Sequence, residues 1–355
     1  MRRSYVKWVV LILVATGFPL SLVGDALGWP DTWMFPVYAI TIVGFAAYMG
    51  QATESIAIHA GERIGGLLNA TFGNAAELII SIFALQAGYT SIVLASMTGA
   101  VIGNLLFVSG AAFLAGGIQK KRQTFNAYDS RHNASLLMVG VVIAFVFPHI
   151  FASQTSESQA MTLSIFVAVI GMLLYSAGII FRLFTHRGVY ANSEENKADD
   201  ESPKWGRGVS FTLLALATVG VAITSEKLVD TFEVVGEAFG WSELFLGVIV
   251  IAIVGNAAEH ASAVYLAWKS KLNASIEIAV GSSIQIAMFV VPTLVLLSLV
   301  FGHPMPLIFS VPELVAMVLA VLLSYIVTND GDTNWFEGAA LLSAYLIMGV
   351  GFYFL

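Results

Sequence analysis

The sequence predicts an all-α integral membrane protein with eleven transmembrane helices: one N-terminal helix, then two five-helix repeats of inverted topology. Three observations predict this class. Hydrophobic residues make up 58% of the 355 residues and charged residues only 11%, which is too apolar for a water-soluble chain of this length. Apolar runs of about 20 residues, the length that crosses a bilayer, recur along the chain. One five-residue segment, Gly-Asn-Ala-Ala-Glu, occurs once in each half.

Eleven apolar runs are long enough to cross the bilayer. They predict spans at residues 5–23, 33–53, 65–86, 91–117, 134–152, 159–184, 208–226, 243–268, 273–300, 307–328 and 336–355. Turn residues such as Gly-Trp-Pro-Asp (28–31) and Asn-Asp-Gly-Asp (329–332) separate neighbouring runs. We interpret the first run as a retained helix rather than a cleaved signal peptide, because no Ala-x-Ala site closes it.

The positive charges are distributed very unevenly among the predicted connections. With eleven spans, 15 of the 16 Lys and Arg residues fall on one side of the membrane, and only Lys227 falls on the other. By the positive-inside rule, the N-terminus is predicted to be cytoplasmic and the C-terminus extracytoplasmic in a cell membrane. A wrong helix count would scramble this bias, so the bias supports eleven spans.

The longest polar stretch divides the chain into halves. The predicted units are an N-terminal helix (1–30), a first repeat (31–186), an acidic cytoplasmic linker (187–207) and a second repeat (208–355). The linker reads as a solvated connection, and a cation-sensing regulatory segment is the alternative.

The two copies of the five-residue segment indicate an internal duplication. Gly73 to Glu77 recurs as Gly255 to Glu259, an offset of 182 that also carries Gly99 onto Gly281 and Phe107 onto Phe289. The copies lie on predicted spans 3 and 8, and an odd separation of five spans inverts the topology. Inverted repeats are typical of secondary transporters, whose substrate site lies near the bilayer midplane where the repeats meet.

The repeated segments place Glu77 and Glu259 inside apolar helices. A charged side chain there costs roughly 2.5 to 3.5 kcal/mol on insertion scales, and such residues are usually functional. Because Asn74 and Asn256 each precede a glutamate by three residues, an amide oxygen and a carboxylate share a helix face. Gly73 and Gly255 allow either close helix approach or a local break that frees carbonyl groups. Such oxygens suit Ca²⁺, and protons would compete for the same carboxylates.

Further polar residues are candidates for the transport path, and each could instead have a purely structural role. Asn104, Ser282 and Gln285 are predicted either to complete the site or to hydrogen-bond between helices. Glu54 and Glu226, near span ends, are access-path candidates or interfacial carboxylates. His260 projects about 100° away from Glu259 around the helix, which favours a tuning or packing role over direct ligation.

Composition also excludes several classes of function. The chain has no cysteine, which excludes disulfides and thiolate chemistry. The net charge of −7 is spread over short connections, and nucleic acid is not an expected partner. We expect no cofactor and no enzymatic activity. The inverted repeat and the paired carboxylates favour an antiporter that exchanges Ca²⁺ for protons. Three alternatives remain: a monovalent cation (Na⁺ or K⁺)/H⁺ antiporter, a passive cation channel and an intramembrane hydrolase. The absence of a convincing Ser/His pair disfavours the hydrolase.

The motifs resemble those of a known family. Gly-Asn-Ala-Ala-Glu-Leu (73–78), Gly-Asn-Ala-Ala-Glu-His (255–260) and Gly-Ser-Ser-Ile-Gln-Ile-Ala-Met-Phe-Val (281–290) resemble the paired signatures of the cation/proton exchanger (CAX) branch of the calcium/cation antiporter superfamily. The likeness covers almost the whole chain, and the short loops resemble the bacterial Bacillus-type H⁺/Ca²⁺ antiporters. The Gly-Thr-Ser-x-Pro-Glu-like motifs of Na⁺/Ca²⁺ exchangers are absent, which argues against sodium as the main counter-ion.

The resemblance implies an H⁺/Ca²⁺ antiporter that exports cytoplasmic Ca²⁺ by alternating access. It implies that Glu77 and Glu259 bind both Ca²⁺ and H⁺, and that Asn74, Asn256 and backbone carbonyls surround the cation, together with Ser282 and Gln285. It also implies a homo-oligomer, often a trimer. Asn104 matches Ile286 in the second half, so any role of this amide is confined to the first half.

Overall fold

The computed structural model describes residues 2–152, 154–186 and 203–355. Its thirteen described helices, with π-helical turns included, are α1 (Arg2–Leu27), α2 (Asp31–Ala60), α3 (Glu62–Phe72), α4 (Ala75–Gln86), α5 (Thr90–Gln119), α6 (Ala127–Ala152), α7 (Glu157–Thr185), α8 (Arg207–Asp230), α9 (Phe232–Phe239), α10 (Glu243–Trp268), α11 (Leu272–Phe301), α12 (Val311–Thr328) and α13 (Trp335–Tyr353). Two short strands, β1 (Gln123–Thr124) and β2 (Asp332–Thr333), pair antiparallel. The prediction of an all-α membrane protein is confirmed in its class.

Ten of the described helices are long and apolar enough to cross a membrane. The prediction of a single third span over 65–86 is wrong in detail, because the chain there forms two short helices, α3 and α4, that are interrupted at Gly73 and Asn74. Ten long helices and one divided segment therefore occupy the eleven predicted runs. Most of the predicted linker, from 187 to 202, lies outside the described residues.

Local sequence sets several helix ends. Ser156 caps α7 and Ser310 caps α12, each with a capping box. In each box the serine oxygen accepts from the backbone N–H of the residue three positions later, and the side chain of that residue, Gln159 or Glu313, accepts from the backbone N–H of the serine. Asn126 and Asn334 cap α6 and α13 in a related way. These caps satisfy backbone N–H groups that a helix start leaves without partners.

The connections that carry most of the predicted positive charge meet at one end of the molecule, which we call the basic end. Strands β1 and β2 join the connections after α5 and α12 there. The backbone N–H of Asn126 donates to Oδ1 of Asn273 at 2.7 Å, Arg182 pairs with Glu277, and Lys204 pairs with Glu54 at 3.0 Å. The connections after α2, α5, α7, α10 and α12 are thereby gathered at the basic end.

The remaining connections meet at the opposite end. The ring of Tyr89 packs on Phe232 with centroids 5.8 Å apart, and Phe35 packs on Trp241 at 6.4 Å. The backbone N–H of Leu307 donates to Oγ of Ser164 at 2.8 Å. Successive connections between spans therefore lie at alternate ends of the molecule, as expected when the chain crosses the membrane at every predicted span.

Helix packing follows the repeat. The offset of 182 pairs α3 and α4 with α10, and α5 with α11; by chain order, α2 then corresponds to α8, α6 to α12 and α7 to α13. Helix α5 packs against α10, α12 and α13, and its counterpart α11 packs against α4, α6 and α7. Helices α2 and α8 pack against each other, as do α4 and α10. Each contact in one half therefore has its partner contact in the other.

Candidate ion-binding site

The two repeated glutamates lie at matching depths, measured from opposite ends. Glu77 is nine residues before the end of α4 at Gln86, and Glu259 is nine residues before the end of α10 at Trp268. At 1.5 Å per residue each carboxylate is roughly 14 Å from its helix end. Because the hydrocarbon core of a bilayer is about 30 Å thick, both positions are close to its middle.

The same five residues adopt different backbones in the two halves. In the first copy the helix is interrupted, and Asn74, with φ −99° and ψ 26°, precedes the first residue of α4. In the second copy, Gly255 to Glu259 continue within α10 without a break. The sequence allowed a break or a close approach at each glycine, and the structure has the break at Gly73 and continuous helix at Gly255.

Each motif glycine faces the glutamate of the other copy. A β-carbon on Gly255 would lie 3.3 Å from Cα and from Cβ of Glu77. A β-carbon on Gly73 would lie 3.3 Å from Oε1 of Glu259 and 3.0 Å from Oε1 of Gln285. The missing side chains thus let the two motifs approach until their carboxylates belong to one cluster.

Glu77 is buried and has few polar contacts. Its side chain is 2% exposed, and neither carboxylate oxygen accepts a hydrogen bond from a protein group. The side chain of Asn256 faces it, and the Nδ2 of Asn256 donates to the carbonyl of Ala252 at 3.0 Å. Asn74 is equally buried, and neither its amide oxygen nor its amide nitrogen has a protein partner.

Glu259 lies in a different environment. It is partly exposed, and Oγ of Ser282 donates to its Oε2 at 2.6 Å. Gln285, one turn further along α11, is buried beside Gly73. The structure therefore brings Ser282 and Gln285 next to Glu259, where either predicted role, completing the site or hydrogen-bonding between helices, fits their positions.

The oxygens in this cluster suit a hard cation or protons. Within the described part of the chain no third His, Asp or Glu side chain joins the two carboxylates at this point. Deprotonated, they carry two negative charges, which balance a divalent cation. The amide oxygen of Asn74, which has no protein partner, adds a neutral oxygen of the kind that Ca²⁺ binds. Buried oxygens without partners are costly, and a bound cation or proton would remove that cost.

His260 and Asn104 form a separate contact beside the cluster. Nε2 of His260 donates to Oδ1 of Asn104 at 3.1 Å, and both side chains are buried. The ring of Phe107 packs edge-on against His260 at 5.8 Å. This contact joins α5 to α10, so His260 and Asn104 have a packing and bridging position between the halves, not one among the carboxylates.

Glu54 and Glu226 lie away from the carboxylate cluster. Both are exposed, Glu54 near the basic end of α2 and Glu226 near the opposite end of α8. Glu54 pairs with Lys204 at 3.0 Å. The structure does not bring either residue to the cluster, and their two predicted roles, as access-path groups or as interfacial carboxylates, stay predictions.

One buried carboxylate was not singled out from the sequence. Glu313 is 5% exposed; its Oε2 accepts from the backbone N–H of Ser310 at 2.7 Å, and its Oε1 accepts from Oγ1 of Thr98 at 3.3 Å. The spacing Ser-x-x-Glu is a capping-box signature that predicts this arrangement. Helix capping accounts for the burial of Glu313.

Known proteins show the same organisation. The profile of the sodium/calcium exchanger protein family matches residues 31–184 and, separately, residues 209–354. The Ca²⁺/H⁺ antiporter ChaA of Bacillus subtilis is 56% identical over 348 residues, which cover 98% of this chain and 99% of that protein. A Ca²⁺/H⁺ antiporter of Synechocystis is 41% identical over 98% of each chain.

Solved structures agree with this fold. The native structure of YfkE has a TM-score of 0.87 and 52% identity, over 98% of this chain and all of that one. The H⁺/Ca²⁺ exchanger CAX has a TM-score of 0.68 at 16% identity, over 98% of this chain and 92% of that one. At that identity the second likeness supports the fold alone.

Proposed function

Because the chain belongs to the sodium/calcium exchanger protein family, we propose that it is a secondary antiporter that exchanges Ca²⁺ for H⁺ across a membrane. Ca²⁺ is the transported substrate, and no cofactor is implied. The predicted resemblance to the cation/proton exchanger branch is confirmed by relatives named as Ca²⁺/H⁺ antiporters and vacuolar cation/proton exchangers.

A single observation carries this proposal: Glu77 and Glu259 come from different halves of the chain and meet at mid-depth, each against the glycine of the other motif. Two carboxylates without a buried cationic partner are charged −2 when empty and deprotonated. They become neutral either with one Ca²⁺ or with two protons. Competition for the same oxygens couples the opposite movements of the two ions, because the uncompensated site is costly in the membrane.

The proposed cycle uses the two repeats, 31–186 and 208–355, as halves of inverted topology. Ca²⁺ binds the deprotonated pair from one end, with Asn74 and Asn256 beside the carboxylates. After the halves exchange conformations, protons from the other end displace Ca²⁺. The protonated, neutral site then returns. An inward proton gradient thereby drives Ca²⁺ out.

Orientation and assembly extend the proposal. The basic end, which carries Arg122, Arg182 and Lys204, is cytoplasmic by the positive-inside rule, as is the N-terminus, and the C-terminus is extracytoplasmic. The family resemblance supports a homo-oligomer, with a trimer as the expected form. A cysteine introduced at Lys204 should react with an impermeant reagent only in inverted vesicles, and cross-linking in membranes tests the trimer.

The proposal is tested with purified protein in proteoliposomes that report internal pH and Ca²⁺. An imposed pH gradient should drive Ca²⁺ uphill, which a passive channel cannot do. Glu77→Gln and Glu259→Gln should each abolish this exchange, because an amide cannot alternate between a charged and a neutral form. Glu237→Gln, in an exposed glutamate of α9, is the matched control and should leave exchange unchanged.

The same proteoliposomes show which cation is exchanged for protons. We expect Ca²⁺ to move protons where Na⁺ and K⁺ do not, since two carboxylates balance a divalent ion. Proton movement driven by Na⁺ or K⁺ alone would favour the monovalent antiporter. Full exchange in both glutamine variants would reject the two-glutamate mechanism.

A further inference from the structure

Two glycines at equivalent positions of the repeat have very different surroundings. Gly99 lies in α5 and Gly281 in α11, and the offset of 182 relates them. A β-carbon on Gly99 would overlap the backbone of α10, with Cα of Val248 only 2.6 Å away. A β-carbon on Gly281 would have no neighbouring atom within 4 Å. The α5–α10 contact is therefore closed, and the corresponding contact of α11 is open.

The open space at Gly281 lies beside the carboxylate cluster. Gly281 is one helical turn before Gln285, so both share a face of α11. Gln285 reaches Gly73 at the interruption between α3 and α4, and Ser282 contacts Glu259. Gly281 therefore faces α3, on the basic-end side of the cluster.

Neighbouring residues show the same asymmetry. Asn69, one turn before Gly73 in α3, is exposed, whereas its counterpart Ile251 in α10 is 3% exposed. Glu259 is partly exposed, whereas Glu77 is 2% exposed. The hydrophobic side chains of residues 92–102 in α5 are 2% exposed or less, except that of Leu94, which is partly buried. The side chains are thus closely packed between the carboxylate cluster and the opposite end, and loosely packed between the cluster and the basic end.

We propose that Gly281 is a closing contact of the second access state: α11 packs through Gly281 against α3 when the basic end closes, as α5 packs through Gly99 against α10 in this structure. This inference rests on the proposed exchange cycle, in which each half adopts the conformation of the other.

The inference predicts an unusual variant, one that fits the structure and still stops transport. Gly281→Val adds a side chain to open space here, so thermal stability and Ca²⁺ binding from the basic end should be unchanged. The same side chain would obstruct the closed contact, so exchange should fall by roughly 10- to 100-fold, the range that the strain of one inserted side chain produces. Gly281→Ala should give a smaller loss.

Gly178→Val is the matched control. Gly178 lies in α7, is exposed and likewise has no atom within 4 Å of a β-carbon, so its exchange rate should equal that of the parent protein. A second measurement uses the absence of native cysteine. Asn69→Cys should react with an impermeant thiol reagent from the basic end, and Gly281→Val should keep this thiol reactive under a pH gradient that otherwise protects it.

Two results would overturn the inference. Exchange by Gly281→Val within about two-fold of the parent rate, which is less than the strain of an inserted side chain produces, would show that α11 does not close there. Loss of Ca²⁺ binding or of folding in Gly281→Val would place the side chain in the site or in a packed core, not in open space. If the parent protein moves no Ca²⁺ while thiol protection still depends on Gly281, the proposed function fails and the closing contact stands.

Discussion

The two copies of Gly-Asn-Ala-Ala-Glu have the same residues and different structures. The first copy interrupts a helix, and its glutamate is buried without a hydrogen-bond partner. The second copy is continuous helix, and its glutamate is partly exposed and accepts from Ser282. An identical sequence in two conformations teaches that the motif is compatible with both. This compatibility is what an exchange of conformations between the halves requires.

The largest expected effect concerns the closed contact. Gly99→Val would drive a side chain into the backbone of α10 at Val248, and we expect a loss of about 3 kcal/mol or more in stability, the upper part of the range for overpacking. Gly281→Val should cost almost nothing. Thermal unfolding of both variants in detergent measures the difference, and equal destabilisation would contradict the contrast between the two contacts.

An intermediate effect concerns the bridge between α5 and α10. Asn104→Leu removes the acceptor of the His260 Nε2–H bond and leaves a buried donor without a partner, at a cost of about 1 to 3 kcal/mol in stability. The reciprocal variant Ile286→Asn, at the matching position of α11, creates no such bond. Unfolding measurements should show that only Asn104→Leu is rescued in part by His260→Leu, which removes the stranded donor.

The smallest effect concerns the hydroxyl beside one carboxylate. Oγ of Ser282 donates to Glu259, whereas the matching residue in α5 is Ala100. Donation stabilises the charged carboxylate, so Ser282→Ala favours its protonated form. Ca²⁺ affinity at acidic pH should then fall by about ten-fold, the lower part of the range for a hydrogen bond to a charged group, and recover as pH rises.

Calcium titrations at several pH values measure this shift. Ala100→Ser offers the matched reciprocal, because Ala100 is the counterpart of Ser282 in the repeat, and a hydroxyl there should raise affinity at acidic pH. Ser283→Ala is the control, since that hydroxyl bonds to the carbonyl of Ala279 in its own helix. A loss of affinity that is independent of pH would indicate that Ser282 is a cation ligand rather than a donor to Glu259.

The sequence alone determined the class of the protein. Three properties of local composition and order did so: apolar runs of bilayer length, a charge bias that a wrong span count would scramble, and a repeated motif with an intramembrane glutamate. They also located Glu77 and Glu259, because a carboxylate in an apolar helix is too costly to be incidental. Which of the two motif glycines interrupts its helix did not follow from them, because the sequence allowed a break at both Gly73 and Gly255.

Only the tertiary structure decided how the two motifs differ. Gly-Asn-Ala-Ala-Glu has one set of backbone preferences, so local sequence predicts the same conformation twice, and the packing of α3 and α4 against α10 and α11 selects a break in one copy and a helix in the other. The open space at Gly281 and the close contact at Gly99 are decided in the same way. Both are glycines in matching sequences, and the distance to the neighbouring helix, which no local property encodes, separates them.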